Sequence, residues 1–320
     1  MTSSSTVSIV TDPAYLDHDT GGGEHPESPG RLETILDTLR HSPVFPHLSF
    51  HRPAMAQRQD LLAVHAESWL FRFEETVLSG KGHIDHPDNQ ICYDSYNVAT
   101  LAAGAGITGI DLLEVEDLRQ VFCLVRPPGH HAERNMPFGF CFYNNAVVAA
   151  RYWQRQYGKE RVLIFDFDAH HGNGIQSAFE REAGSYYISL HEHPSFSYPG
   201  TGYADEVGLG AGAGTILNLP LSPGTSDEQV LKIILEKIEP RLAHWSPDCI
   251  VVSAGFDGHC RDDMSGLLFS TGLYRDIGRK VLAWSEMYCG GRLLSILEGG
   301  YELSVLGESV EAYIQGLLGE

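Results

Sequence analysis

The stretch VLIFDFDAHHGNG, residues 162–174, decides how this chain folds. Its first half is apolar without alternation, the pattern of a strand buried on both faces inside a parallel sheet. Its second half turns polar at once, through Asp168, His170, His171 and Asn173. Asp166 and Asp168 share one strand face by the period of two. Working outward, similar short runs recur: VSIV at 7–10, VFCLV at 121–125, YYISL at 186–190, TILNLPL at 215–221, CIVVSAG at 249–255 and RLLSILEGG at 292–300. Helical candidates lie between them, at 28–40, 60–79, 95–113, 142–157, 172–183, 226–244, 269–287 and 302–318. The alternation predicts an α/β fold built on a single-domain open parallel β-sheet with helices on both faces. No Pro/Ser-rich linker and no internal repeat interrupts the chain, and HDTGGGEHPESPG (18–30) and GTGYADEVGLGAGAG (200–214) read as loops, so residues 1–320 are expected to form one domain.

Charge narrows the function classes. The 22 Lys and Arg against 42 Asp and Glu give a net charge of −20, without a basic run to hold a phosphate backbone, so nucleic acid is not an expected partner. No apolar run approaches the roughly 20 residues of a bilayer span, and the opening MTSSST has neither a basic nor an apolar leader segment; a cytoplasmic, non-membrane protein is expected. The six cysteines are scattered without CxxC spacing and read as reduced thiols.

In an open parallel sheet ligands bind beyond the carboxyl ends of the strands, which are unusually polar here. Asp168 and His170 follow one strand, and Asp257 follows CIVVSAG. Two carboxylates and one imidazole leave a coordination position open for water or a carbonyl, which is what a catalytic Zn²⁺ needs; the same hard set also accepts Fe²⁺ or Mn²⁺. A second cluster, RPPGHHAE at 126–133, places two adjacent histidines on a loop shaped by Pro and Gly. A third, Glu298-Gly299-Gly300-Tyr301, bends the backbone after a strand and presents a phenol at the same edge.

Taken in order, RPPGHHAE, GFCFYNNAVVAA, IFDFDAHHGNG, SAGFD and LEGGY closely resemble the zinc-dependent histone deacetylase family of the arginase–deacetylase superfamily. The likeness extends to HPESPGR at 25–31 and YPGTG at 198–202, and so covers almost the whole chain. Asn173, where class I enzymes carry Asp, resembles the class II and bacterial acetylpolyamine amidohydrolase branch. The resemblance implies that Asp168, His170 and Asp257 bind zinc. It makes His131 the general base and acid, and His130 its electrostatic partner, oriented by Asp166. It further implies that Asn173 orients His131 and that Tyr301 donates to the substrate oxygen. Structural K⁺ is implied near Asp166, Asp168, His170, Ser189 and Leu190, largely through backbone carbonyls. Phe140 and Tyr198 match the aromatic walls of an acyl-lysine channel, with Met264, Gly129 and Gly299 expected beside them, and Arg31 matches a residue near an acetate-release cavity.

The expected reaction is hydrolysis of acetyl or other short acyl amides of lysine in proteins or peptides, with acetylated polyamines or other small acylated amines as the alternative substrates. Met264 stands where the polyamine-selective branch carries a gatekeeper Glu and cannot recognise a secondary ammonium, although Asp263 is adjacent. An acyl-lysine binder without activity would not need Tyr301, and an arginase-like enzyme would need further metal ligands. A homo-oligomer is compatible with all of this.

Overall fold

The computed structural model describes residues 6–21 and 25–320. Residues 1–5, and the 22–24 portion of the first Gly-rich loop, lie outside the described residues. Ten strands follow in chain order: β1 Val7–Val10, β2 Leu48–His51, β3 His83–Ile84, β4 His86–Gln90, β5 Gln120–Cys123, β6 Val162–Asp166, β7 Ser185–Glu192, β8 Ile216–Leu221, β9 Cys249–Ala254 and β10 Leu293–Leu297. Eight of them form one sheet in the order β2-β1-β5-β10-β9-β6-β7-β8, every pair parallel, while β3 and β4 make a small antiparallel hairpin.

The expected α/β sheet is therefore present, and side-chain direction shows that it is covered on both faces. Leu294 lies against Gly109 of the helix Ser95–Glu114, whereas the next residue, Ser295, shares a hydrogen bond of 2.7 Å with Tyr313 of the helix Leu303–Leu318. Successive strand residues point to opposite faces, so one helix lies on each side. Strands β1, β5, β6, β7, β9 and β10 are buried along their whole length, including the polar residues within them such as Ser8, Gln120, Ser189 and His191.

Topology explains how residues far apart in sequence meet. After β5 and β6 the chain moves outward to β7 and β8, then returns to place β9 and β10 between β6 and β5. This insertion sets the carboxyl ends of β5, β10, β9 and β6 side by side. Among the described residues no helix is long and apolar enough to cross a membrane.

Candidate active site

The loops after those four strands carry the polar centre. Asp168, His170 and Asp257 are buried, and one donor atom of each lies within 4.8 Å of the other two. Nδ1 of His170 stands 2.9 Å from Oδ2 of Asp257 and 3.2 Å from Oδ1 of Asp168. The remaining valences are spent outward: Asp168 Oδ2 accepts from Gly299 N at 2.8 Å, Asp257 Oδ1 accepts from Ala169 N at 2.9 Å, and His170 Nε2 meets the Met264 carbonyl at 3.2 Å. A carbonyl can only accept, so His170 donates from Nε2, which leaves Nδ1, facing the two carboxylates, as the atom that could ligate a metal. Burial and the nearby Asp168 raise the Asp257 carboxyl above its ordinary range. Two buried carboxylates this close are what a bound divalent cation relieves, so the donor set fits a metal.

A second group of donors, His130, Cys141 and Glu298, also lies within 4.8 Å. Its chemistry fits a metal poorly. Glu298 Oε2 accepts from Gly129 N at 2.7 Å and His130 N at 3.0 Å, and Oε1 accepts from Ser253 at 3.2 Å. Burial holds the Cys141 thiol well above its usual range, so it stays protonated.

The two adjacent histidines occupy opposite electrostatic environments. Burial alone would lower the pKa of His130, but Asp168 and Asp166 outweigh it and raise it to about 10, with Nδ1 donating to Asp166 Oδ2 at 3.1 Å. For His131, burial and then the neighbouring His130 and His170 hold the pKa well below the ordinary value. The surroundings thus favour the charged form of His130 and the neutral form of His131. His131 Nδ1 contacts Asn173 Oδ1 at 2.8 Å, and its Nε2 makes no hydrogen bond to another described residue.

A cavity of about 200 Å³ opens onto this centre, lined by Asp88, His131, Gly139, Phe140, His170, Tyr198, Met264 and Tyr301. Phe140 adopts φ = +71°, unusual for a bulky side chain, and its N–H donates to Asn89 Oδ1 at 3.1 Å from β4. Gly139 is glycine for two reasons: φ is +49°, and a Cβ would sit 2.5 Å from Cδ2 of His131 and 3.0 Å from the Tyr198 ring. Tyr301 stands edge-on to Phe140 at 5.7 Å, with the Arg31 guanidinium 4.9 Å from its ring centroid. Burial raises the Tyr301 phenol pKa well above the usual value, so it remains a donor.

Most residues singled out in the sequence converge here, with some displaced. Gly129 and Gly299, expected beside the channel, lie behind the polar centre, where their N–H groups hold Glu298 and Asp168. The glycine in the channel wall is Gly139, because the loop must pass directly over His131. The carboxylate residue among the cavity's lining is Asp88, whose Oδ1 contacts His86 Nδ1 at 2.5 Å, while Asp263 is exposed and outside the lining. Arg31 is buried and donates to Glu27 Oε1 at 3.2 Å, Gly300 O at 2.7 Å and the Glu298 carbonyl. Ser189 pairs in register with Asp166 on the neighbouring strand, and Leu190 follows it.

Other supports escaped the sequence reading. Asp262 Oδ2 accepts from Tyr301 N at 2.7 Å and Glu302 N at 3.0 Å, while its Oδ1 accepts from Met264 N at 3.1 Å, tying two walls of the cavity together. Tyr187 donates to Asp166 Oδ2 at 2.9 Å. His65 accepts from Asn144 N at 3.0 Å and contacts the Glu133 carbonyl at 3.0 Å beneath the histidine loop.

Comparison with known proteins agrees with this geometry. Residues 25–317 match the histone deacetylase domain. A probable deacetylase of Archaeoglobus fulgidus is 38% identical over 297 residues, covering 92% of this chain and 81% of the relative. A histone deacetylase-like amidohydrolase of Pseudomonas aeruginosa is 34% identical over 281 residues, covering 88% of this chain and 73% of the relative. Among solved structures, the HDA15 HD domain superposes with a TM-score of 0.91 at 35% identity, over 99% of this chain and 89% of that one.

Proposed function

Because the chain belongs to the histone deacetylase family, we propose that it is a metal-dependent hydrolase that removes acetyl or other short acyl groups from lysine side chains of proteins or peptides. Asp168, His170 and Asp257 would hold the metal, Zn²⁺ in the first instance and Fe²⁺ in the second. When bound, such an ion polarises an amide carbonyl and acidifies water. The chain supplies the rest. His131 accepts the proton of the attacking water at Nε2 and returns it to the departing amine. Tyr301 donates its phenolic hydrogen to the carbonyl oxygen as negative charge builds there. The imidazolium of His130 stabilises the same charge from behind. Phe140 and Tyr198 flank the lysine methylenes and exclude water. Backbone carbonyls around Asp166, Asp168, His170, Ser189 and Leu190 are the proposed holders of K⁺, and Arg31, behind the Tyr301 ring, would favour an anionic product. We take the whole chain, 1–320, as one catalytic domain.

This reading is carried by one cavity that brings together His131, His170 and Tyr301 behind aromatic walls. Asp88 favours a second substrate class, acetylated polyamines, since a carboxylate among the lining residues can meet an internal ammonium. Protein loaded with equimolar Zn²⁺ and assayed on acetyl-lysine peptides, N-acetylputrescine and N8-acetylspermidine decides between them. The expected result is a higher kcat/KM for the peptides, abolished by chelation. A preference of about tenfold for a polyamine would transfer the assignment to the second class, and hydrolysis of none of the three would overturn both.

A further inference from the structure

The motif RPPGHHAE ends on Glu133, a residue that the mechanism above does not use. Its carboxylate Oε1 accepts from Asn173 Nδ2 at 2.8 Å, and the same amide nitrogen reaches the His131 carbonyl at 3.3 Å. On the other side Asn173 Oδ1 meets His131 Nδ1 at 2.8 Å. Among the described residues Glu133 forms no ion pair, so its only side-chain bond is to this amide. Its backbone is anchored at both ends, N–H to the Met136 carbonyl at 3.0 Å and C=O to His65 Nδ1 at 3.0 Å.

An asparagine amide is nearly symmetric in shape, and either end could face the imidazole. With Oδ1 toward His131, Nδ1 must carry the hydrogen and Nε2 keeps its lone pair toward the cavity. With the amide reversed, Nδ1 becomes the acceptor and Nε2 carries the hydrogen, which leaves no lone pair to take a proton. His131 itself cannot choose. Glu133 can, because a carboxylate and a carbonyl only accept, and both lie on the Nδ2 side. Reversal would set Oδ1 against these two acceptors. His130 needs no such device, since its orienting partner, Asp166, is a carboxylate that accepts through either oxygen.

We propose that Glu133 is a positioning residue of the reaction: by holding Nδ2 of Asn173 it fixes the tautomer in which His131 presents Nε2 as the base. The inference rests on the role given to His131 under the proposed function.

The test combines Glu133→Ala and Glu133→Gln, each made alone and with Asn173→Asp, measured with Zn²⁺-loaded protein on an acetyl-lysine peptide. Gln can still accept from Nδ2, so Glu133→Gln is expected to lose about threefold in kcat and Glu133→Ala about tenfold or more, with KM and zinc content little changed. In the Asn173→Asp background the amide is gone and Glu133 faces another carboxylate, so Glu133→Gln should raise kcat instead of lowering it. A purely structural role predicts the same loss in both backgrounds. Independently of activity, ¹⁵N spectra of histidine-labelled protein, with the His131 signals assigned from His131→Ala, should show hydrogen on Nδ1 in the parent and a shift toward Nε2 in Glu133→Ala. Equal losses in both backgrounds, or an unchanged tautomer in Glu133→Ala, would overturn the inference. Full activity in His131→Ala would instead overturn the role assigned to that histidine, and with it the premise.

Discussion

A phenol is a weak acid, and burial beside Asp257 and Asp168 keeps that of Tyr301 weaker still, with Arg31 only partly opposing them. It therefore stays a hydrogen-bond donor, and under the proposed function its value lies in the charge that develops during reaction. Tyr301→Phe should lower kcat by about two orders of magnitude while zinc content and Tm stay unchanged; near-normal turnover would reassign the ring to packing against Phe140. The candidate metal ligands and the histidine pair were legible because each comes within a few residues of the end of a buried strand. Asp262, Glu298 and Gly139 were less so: their roles consist of bonds to backbone N–H groups, or a close approach, that exist only once distant loops have met. Buried histidines give a residue-scale prediction on stability. Burial lowers the pKa of both His18 and His65 to about 4. At these two positions the unfolded chain then binds more protons than the folded one below the ordinary histidine pKa, so their contribution to stability is full above about pH 6.5 and declines toward pH 4. Thermal melts should show Tm falling by on the order of 5 °C across that window, and His65→Gln, which can donate and accept in the same places, should flatten the decline.

At the level of elements, the strands that the sequence disclosed are, apart from the edge strand β8, those buried along their whole length. β2, LSFH, escaped because it is a half-exposed edge strand without an apolar run, and the short β3–β4 hairpin is mostly polar. The helix expected over 60–79 is two helices, Arg58–Leu62 and Glu67–Leu78, and the break lets His65 turn inward beneath the Glu133 carbonyl. That over 172–183 ends earlier, at Phe179. Helix contacts also turn on residues whose meaning is only spatial. Thr271–Tyr288 and Leu303–Leu318 pack so closely that a Cβ on Gly316 would lie 2.2 Å from the Arg275 carbonyl. Gly316→Ala should cost about 1–3 kcal/mol, read as a lower urea midpoint at unchanged slope. An unchanged midpoint would mean that the two helices separate freely.

For the molecule as a whole, a net charge of −20 acts at distances beyond any single contact. A cationic substrate would be drawn toward such a surface, and the attraction is screened by salt. Raising ionic strength should therefore reduce kcat/KM for a lysine-rich acetylated peptide several-fold, through KM more than kcat, and leave a neutral peptide unaffected. Identical salt curves for the two peptides would assign the charge to solubility alone.

The strand order has a consequence for the birth of the protein. A nascent chain that has emerged only as far as β8 holds β5 and β6 without the two strands that later separate them, and without Asp257 or Tyr301. Its half-built sheet has raw edges where the finished one is closed, and it owns neither a full set of metal donors nor the phenol. Under the proposed function, hydrolytic competence therefore waits until the last two strands fill the gap, and a polypeptide released before β10 would be inert and prone to stick to its neighbours.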